Sequence, residues 1–135
     1  MSKLADLMEK PYQKLSPEFI AINLAEPNSK VLSIGCGSGR EVKFLKERGC
    51  NVVAVDYDGE MIRRSKKQNK GVVHIQTEFL DLKISDKFDF IFCLWNTINY
   101  NKGFERKRRM IEKMETMLSK RGKIIITTAH YFSHL

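Results

Sequence analysis

Apolar positions along this chain alternate between two patterns. Short, nearly continuous runs lie at Val31–Ile34, Asn51–Asp56, Val72–Gln76, Lys87–Leu94 and Ile124–Thr128. Runs of that length and density predict strands covered on both faces. Between them the apolar residues recur at helical spacing. Glu41–Arg48 reads as a helix stopped by Gly49, with Val42, Leu45 and Phe44 inward and its charges outward. A second helix follows Asp58, whose side chain suits an N-cap before Gly59-Glu60-Met61-Ile62, and runs to about Asn69. The longest helical pattern is Gly103–Lys120, where Phe104, Met110, Ile111, Met114, Met117 and Leu118 form one methionine-rich core stripe. Ahead of the first strand, Leu4, Leu7 and Met8 share one helical face. A further helix carrying Phe19, Ile20, Ile22 and Leu24 starts at Ser16-Pro17-Glu18 and ends at Pro27.

The first strand runs into Gly35-Cys36-Gly37-Ser38-Gly39. Three alternating glycines allow positive φ and let a ligand lie against bare backbone. Strand, glycine loop, helix and second strand make a βαβ unit, with its ligand site at the carboxyl ends of the strands. The spacing narrows the ligand. A dinucleotide fingerprint, G-x-G-x-x-G, needs its third glycine where this chain has Arg40. A P-loop is excluded because no Gly-Lys-Ser/Thr follows at the required distance.

Length, charge and cysteines then bound the class. At 135 residues the chain is one domain, large enough for a real core. The net charge of +8 raises the question of an anionic partner. Cys36, Cys50 and Cys93 form no C-x-x-C pair and each sits in or beside a predicted strand, which fits buried thiols in a reducing cytosol. No apolar run reaches membrane-spanning length and the start lacks a signal-peptide core, so the expectation is a soluble, cytoplasmic protein.

The G-x-G-x-G loop with Asp56 closing the next strand resembles motif I and the following acidic residue of class I S-adenosylmethionine-dependent methyltransferases. The resemblance implies a cofactor, S-adenosylmethionine, with S-adenosylhomocysteine as its product. It assigns Gly35, Cys36, Gly37 and Gly39 to the cofactor loop, and Asp56 to the two ribose hydroxyls. Tyr57 would stack on adenine, and Met61 joins the same site. An acidic residue past the third strand would accept from the adenine amino group. Glu78, followed by Phe79, matches that position by distance, with Asp81 as the competitor three residues on. Phe88-Asp89-Phe90-Ile91 resembles the family's F-D-x-I/V start of the fourth strand. Cys93-Leu94-Trp95-Asn96 resembles the C-L-G-N of small-molecule N-methyltransferases, with Trp95 where glycine is usual. This places Leu94 at the cofactor and Asn96 and Tyr100 as candidates to orient the acceptor. No N/D-P-P-Y motif of nucleic-acid amino methyltransferases is present.

The fold implied is a three-layer αβα sandwich with a largely parallel sheet in the order 3-2-1-4-5. The family normally continues into another helix and a terminal β-hairpin, so the resemblance also implies an uncovered fifth-strand edge and a homodimer formed through it. The implied function is methyl transfer to a small-molecule acceptor, at nitrogen. The alternatives are a non-catalytic cofactor-binding remnant or partner subunit, and an RNA methyltransferase. The last rests on basic faces at Arg63–Lys70 and Lys102–Arg109, which without aromatic interleaving read as solvated surface. Tyr12 is a candidate lid and Arg40 a solvated arginine. His130 is a candidate base only if the fifth strand delivers it to the cleft. His130 and His134 lack further ligands, so no metal site is expected.

Overall fold

The apolar runs become five strands, β1 Lys30–Ile34, β2 Asn51–Asp56, β3 Val73–Gln76, β4 Phe88–Cys93 and β5 Leu118–Ile126. The helices are α1 Pro17–Ile22, α2 Arg40–Glu47, α3 Gly59–Gln68 and α4 Phe104–Thr116, with 3₁₀ turns at Phe79–Asp81 and Thr97–Tyr100. This computed structural model describes residues 17–95, 97–100 and 103–128. The first helical pattern, Tyr12, Asn96, the Tyr100 side chain, Lys102, His130 and His134 lie outside the described residues.

The strands form one sheet in the order β3-β2-β1-β4-β5, every neighbour parallel. Strand alternation sorts the core into two halves. Val31, Val52, Ala54 and Phe92 point to one face, where they meet Ala21 and Ile22 of α1, Val42 and Leu45 of α2, and Ile62 of α3. Leu32, Val53, Val55 and Ile91 point to the other, against Phe79, Leu82 and the α4 methionines Met110 and Met114. The three-layer order expected from the sequence is the order observed. Asp89 ties three strands at their amino ends: its Oδ2 accepts from Lys30 N–H at 2.9 Å and its Oδ1 from the Ser119 hydroxyl at 2.8 Å. Asp58 caps α3, accepting from the backbone N–H groups of Glu60 and Met61.

The longest helix departs from expectation. It ends at Thr116 rather than Lys120, and β5 already begins at Leu118. Met117 and Leu118 kept the helical spacing in sequence while the backbone turned. The Met117 carbonyl leaves the helix to accept from Phe88 N–H at 2.8 Å, starting the β4–β5 pairing. That pairing jumps from Phe88↔Leu118 to Phe90↔Lys123, so β5 bulges over the residues between. The core stripe is also narrower than expected. Met110, Met114 and Met117 are buried, whereas Phe104 is 81% exposed and Ile111 37%. Ile111 follows Met110 directly and so points about 100° away around the helix.

At the bulge, Gly122 packs where a Cβ would lie 2.7 Å from the Phe88 carbonyl oxygen, a backbone atom. Gly122→Val is expected to destabilise the fold by about 1–3 kcal/mol, read as a lowered midpoint in chemical denaturation with an unchanged m-value. A midpoint equal to wild type would refute the close approach.

Candidate functional site

Asp56 closes β2 and organises the loop that follows β1. Its Oδ2 accepts from Gly37 N–H at 2.9 Å and its Oδ1 from Asp58 N–H at 2.9 Å. The Val55 carbonyl accepts from both Gly35 and Cys36 N–H. The two strand ends and the loop are therefore one hydrogen-bonded unit. Asp56 is only 8% exposed, yet each carboxylate oxygen has spent one acceptor site and keeps another. Gly35, Gly37 and Gly39 all take positive φ, at 67°, 56° and 93°.

A cleft of about 860 Å³ opens above the carboxyl ends of β1 and β2. It brings together Gly35, Cys36, Gly37, Asp56, Tyr57, Met61, Glu78 and Phe79 of the residues expected from the sequence. Tyr57 stands at its rim with its ring largely exposed. Of the two competing carboxylates Glu78 lines the cleft, where its Oε2 accepts from Arg106 at 2.7 Å; Asp81 is exposed in the 3₁₀ turn and outside the lining. Phe79 is buried, and Lys113 of α4 holds its turn by donating to the Phe79 and Leu82 carbonyls while lying 5.0 Å from the Phe79 ring centroid. Two expected residues lie elsewhere. Leu94 is fully buried in the core. Gly39 faces α3 instead of the cleft, pressed against Ser65 and Asn69. Cys36 lines the cleft, but burial pushes its thiol up to about 12, which leaves it an inert wall. No group of three or more potential metal ligands occurs among the described residues.

A family model described as "methyltransferase domain" matches residues 32–126. The chain belongs to the methyltransferase domain family. An uncharacterised protein of Methanocaldococcus jannaschii is 29% identical over 135 residues, covering 96% of this chain and 50% of its own. The glycine/sarcosine N-methyltransferase of Aphanothece halophytica is 27% identical over 121 residues, covering 84% of this chain and 46% of its own. Ubiquinone biosynthesis O-methyltransferases also match, over a shorter stretch of 62 residues. The sugar N-methyltransferase KedS8 of Streptoalloteichus superposes over 100% of this chain and 57% of its own, with a TM-score of 0.80 and 17% identity. The fold is thus the Rossmann-like class I methyltransferase fold. The chain spans about half the length of the curated relatives it matches.

Three cleft residues of this methyltransferase domain escaped the sequence reading. Arg40, read as a solvated arginine, lines the cleft with its guanidinium 4.5 Å from the Trp95 ring centroid. Trp95 holds a left-handed φ of 58°, the conformation that glycine adopts most readily. Its N–H donates at 3.0 Å to the Thr127 hydroxyl, which in turn donates to Glu18 of α1 at 3.1 Å. Thr127→Val, which keeps the shape and removes the acceptor, is expected to loosen Trp95 and cost about 1–3 kcal/mol for the unpaired N–H; thermal unfolding together with Trp95 fluorescence, the chain's one tryptophan, reads both effects. Unchanged emission and midpoint would count against that tether.

Glu41 is the third. The sequence placed the α2 charges outward, but Glu41 is 1% exposed and both its carboxyl oxygens lack a hydrogen-bond partner, as does the nearby Ser33 hydroxyl. Burial pushes its carboxyl up to about 8, opposed in part by the nearby charge of Arg40. A signal was available. Position 41 falls beside the inward-facing Val42 in the first turn of a helix packed on the sheet.

Proposed function

We propose that this domain transfers a methyl group from S-adenosylmethionine to a small-molecule acceptor, at nitrogen. One observation carries the cofactor reading. A nearly buried carboxylate at the end of β2 holds the glycine loop through Gly37 N–H and still has a free acceptor site on each oxygen, beside an open cleft. That donor set fits a vicinal diol, which presents two hydroxyls to one acceptor-only group. Gly37 adds room, since a Cβ there would meet nothing within 4 Å. The exposed Tyr57 ring supplies a stacking surface at the rim. Glu78 offers a second carboxylate for an exocyclic amine.

When bound, S-adenosylmethionine supplies an activated sulfonium methyl, and its displacement leaves S-adenosylhomocysteine. The chain's own part is to bind, orient and exclude water. Asp56 and the loop hold the nucleoside end, and Arg40 and Trp95 wall the cleft above α2. The nitrogen acceptor is supported by the glycine/sarcosine and sugar N-methyltransferases among the similar proteins and by the Cys93–Asn96 resemblance. Asn96 and Tyr100 are the residues proposed to orient it.

Calorimetry with S-adenosylhomocysteine tests the cofactor reading, and a labelled-methyl assay against pooled amines, hydroxylated metabolites and RNA tests the acceptor. No binding to folded protein would refute the first; transfer to oxygen or RNA alone would refute the second. Three arginines on the basic helices are paired on their own helix, Arg63 and Arg64 with Glu60, and Arg108 with Glu105 and Glu112. This favours a solvated surface over an RNA face. A cytoplasmic location and a homodimer through β5 belong to the same proposal. Ile124, Ile125 and Ile126 remain half-buried, β5 pairs only with β4 among the described residues, and no described helix is long and apolar enough to cross a membrane.

A further inference from the structure

The glycine loop rests on a polar seat that the cofactor reading leaves unused. One stretch of α3 and the residue after it supplies every contact. Asn69, 1% exposed, donates from Nδ2 to the Gly39 carbonyl at 3.0 Å, and Gln68 donates to the Ser38 carbonyl. Ser65, fully buried, meets the Cys36 thiol and lies 3.5 Å from Asn69 Nδ2. The fit is tight. A Cβ on Gly39 would lie 2.3 Å from Ser65 Oγ and 2.5 Å from Asn69 Nδ2, at a φ of 93° that side chains rarely adopt.

Behind Ser65 stands His74 of β3. Its Nδ1 lies 3.0 Å from the Val72 carbonyl, which can only accept, so Nδ1 carries the proton. Its Nε2, 2.6 Å from Ser65 Oγ, is therefore an acceptor, and the Ser65 hydroxyl proton points at it. Ser65 thus turns its lone pairs towards the loop, where an Asn69 N–H is the donor, while the Cys36 thiol donates to the Gly37 carbonyl.

We propose that Ser65, Asn69 and His74 are positioning residues for the cofactor loop, and that the hydrogen-bond chain through them makes the loop's affinity for an adenosyl ligand depend on the charge of His74. The inference rests on the cofactor reading above. A proton added at Nε2 converts that nitrogen to a donor. Ser65 must then accept from it, and its own hydroxyl proton turns to the loop, donor against donor with Asn69. The seat loosens under Gly39. Lys66 of α3 is the charge that bears on His74, β2 presents Ala54 beside it, and the Cys36 thiol faces it through Ser65. Burial and Lys66 both disfavour the imidazolium, so the chain stands intact at neutral pH and is broken only below the ordinary value of 6.5.

The test is titration with S-adenosylhomocysteine at about pH 7.5 and about pH 4.5, the lower well beneath the ordinary imidazole value because burial and Lys66 hold His74 below it, with circular dichroism confirming the fold at both. Wild type is expected to bind about tenfold more weakly at the lower pH, the worth of one good hydrogen bond. His74→Gln, whose amide oxygen accepts from Ser65 without titrating, is expected to bind equally at both. Ser65→Ala is expected to bind several-fold more weakly than wild type at the higher pH and to lose the pH dependence, with circular dichroism confirming its fold. A wild-type affinity that does not change with pH, or a His74→Gln affinity that falls as wild type does, would overturn the inference and leave the cofactor reading standing. Failure of folded wild type to bind at either pH would instead overturn both.

Discussion

Asp56→Ala is expected to abolish measurable binding of S-adenosylhomocysteine and to remove the rise in thermal midpoint that the ligand produces in wild type. Two losses add. The ligand loses an acceptor for two hydroxyls, at about 1.5–3 kcal/mol for each bond to a charged group, which together weaken binding by about 10² to 10⁴-fold. The loop also loses its tie, because Gly37 N–H and Asp58 N–H are both held by this one side chain. Asp56→Asn separates the two. Its single carbonyl oxygen can satisfy only one of those N–H groups and turns an amide donor towards the other. It should fold, yet bind far more weakly than wild type. Wild-type affinity in either variant would remove Asp56 from the site and the cofactor reading with it.

Glu41→Gln is expected to make the protein more stable at alkaline pH and to flatten its stability profile. The Glu41 carboxyl is raised to about 8 in the fold, chiefly by burial, against an ordinary 4.5. The folded protein therefore keeps a proton that the unfolded chain releases. Stability from this group is complete below pH 4.5 and is lost as pH rises towards 8. The loss is on the order of 4 kcal/mol by the upper end of that window. Glutamine stays neutral throughout, so denaturation midpoints of the variant should exceed wild type near pH 8 and converge with it near pH 4.5. Parallel profiles would show that the carboxyl is already ionised and paired in the fold. Unlike Asp56→Ala, this change leaves the loop's own hydrogen bonds in place.

The two residues differ in how visible they were. Asp56 ends a strand that begins its apolar run four residues earlier, and it follows a glycine loop whose own spacing rules out the phosphate-binding alternatives. Glu41 was less visible, a charged residue in the first turn of an amphipathic helix whose one hint was the inward-facing Val42 beside it. Its burial follows from how the first turn of α2 packs against the sheet, a tertiary fact. Arg40 and Trp95 were missed for a related reason. Their closeness depends on the left-handed turn at Trp95 and on Thr127, which reaches it from 32 positions further along the chain. The end of α4 was misplaced because Met117 and Leu118 satisfy both helical spacing and the start of a strand, and only pairing with Phe88 chooses between them. Gly39 was grouped with the ligand-facing glycines because spacing counts glycines without saying which side each one faces.

By itself the sequence determined the layered α/β class, the strand order implied by its family resemblance, and the residues at the two strand ends that frame the cleft. Local periodicity and glycine spacing carry that information, since each reflects constraints acting over a few neighbouring residues. Only the tertiary structure decided which groups are buried without partners, which glycine rests on α3, and how Ser65 and His74 stand behind the loop. Those properties arise where distant segments meet, and the free energy of a buried polar atom depends on neighbours that the order of residues does not specify.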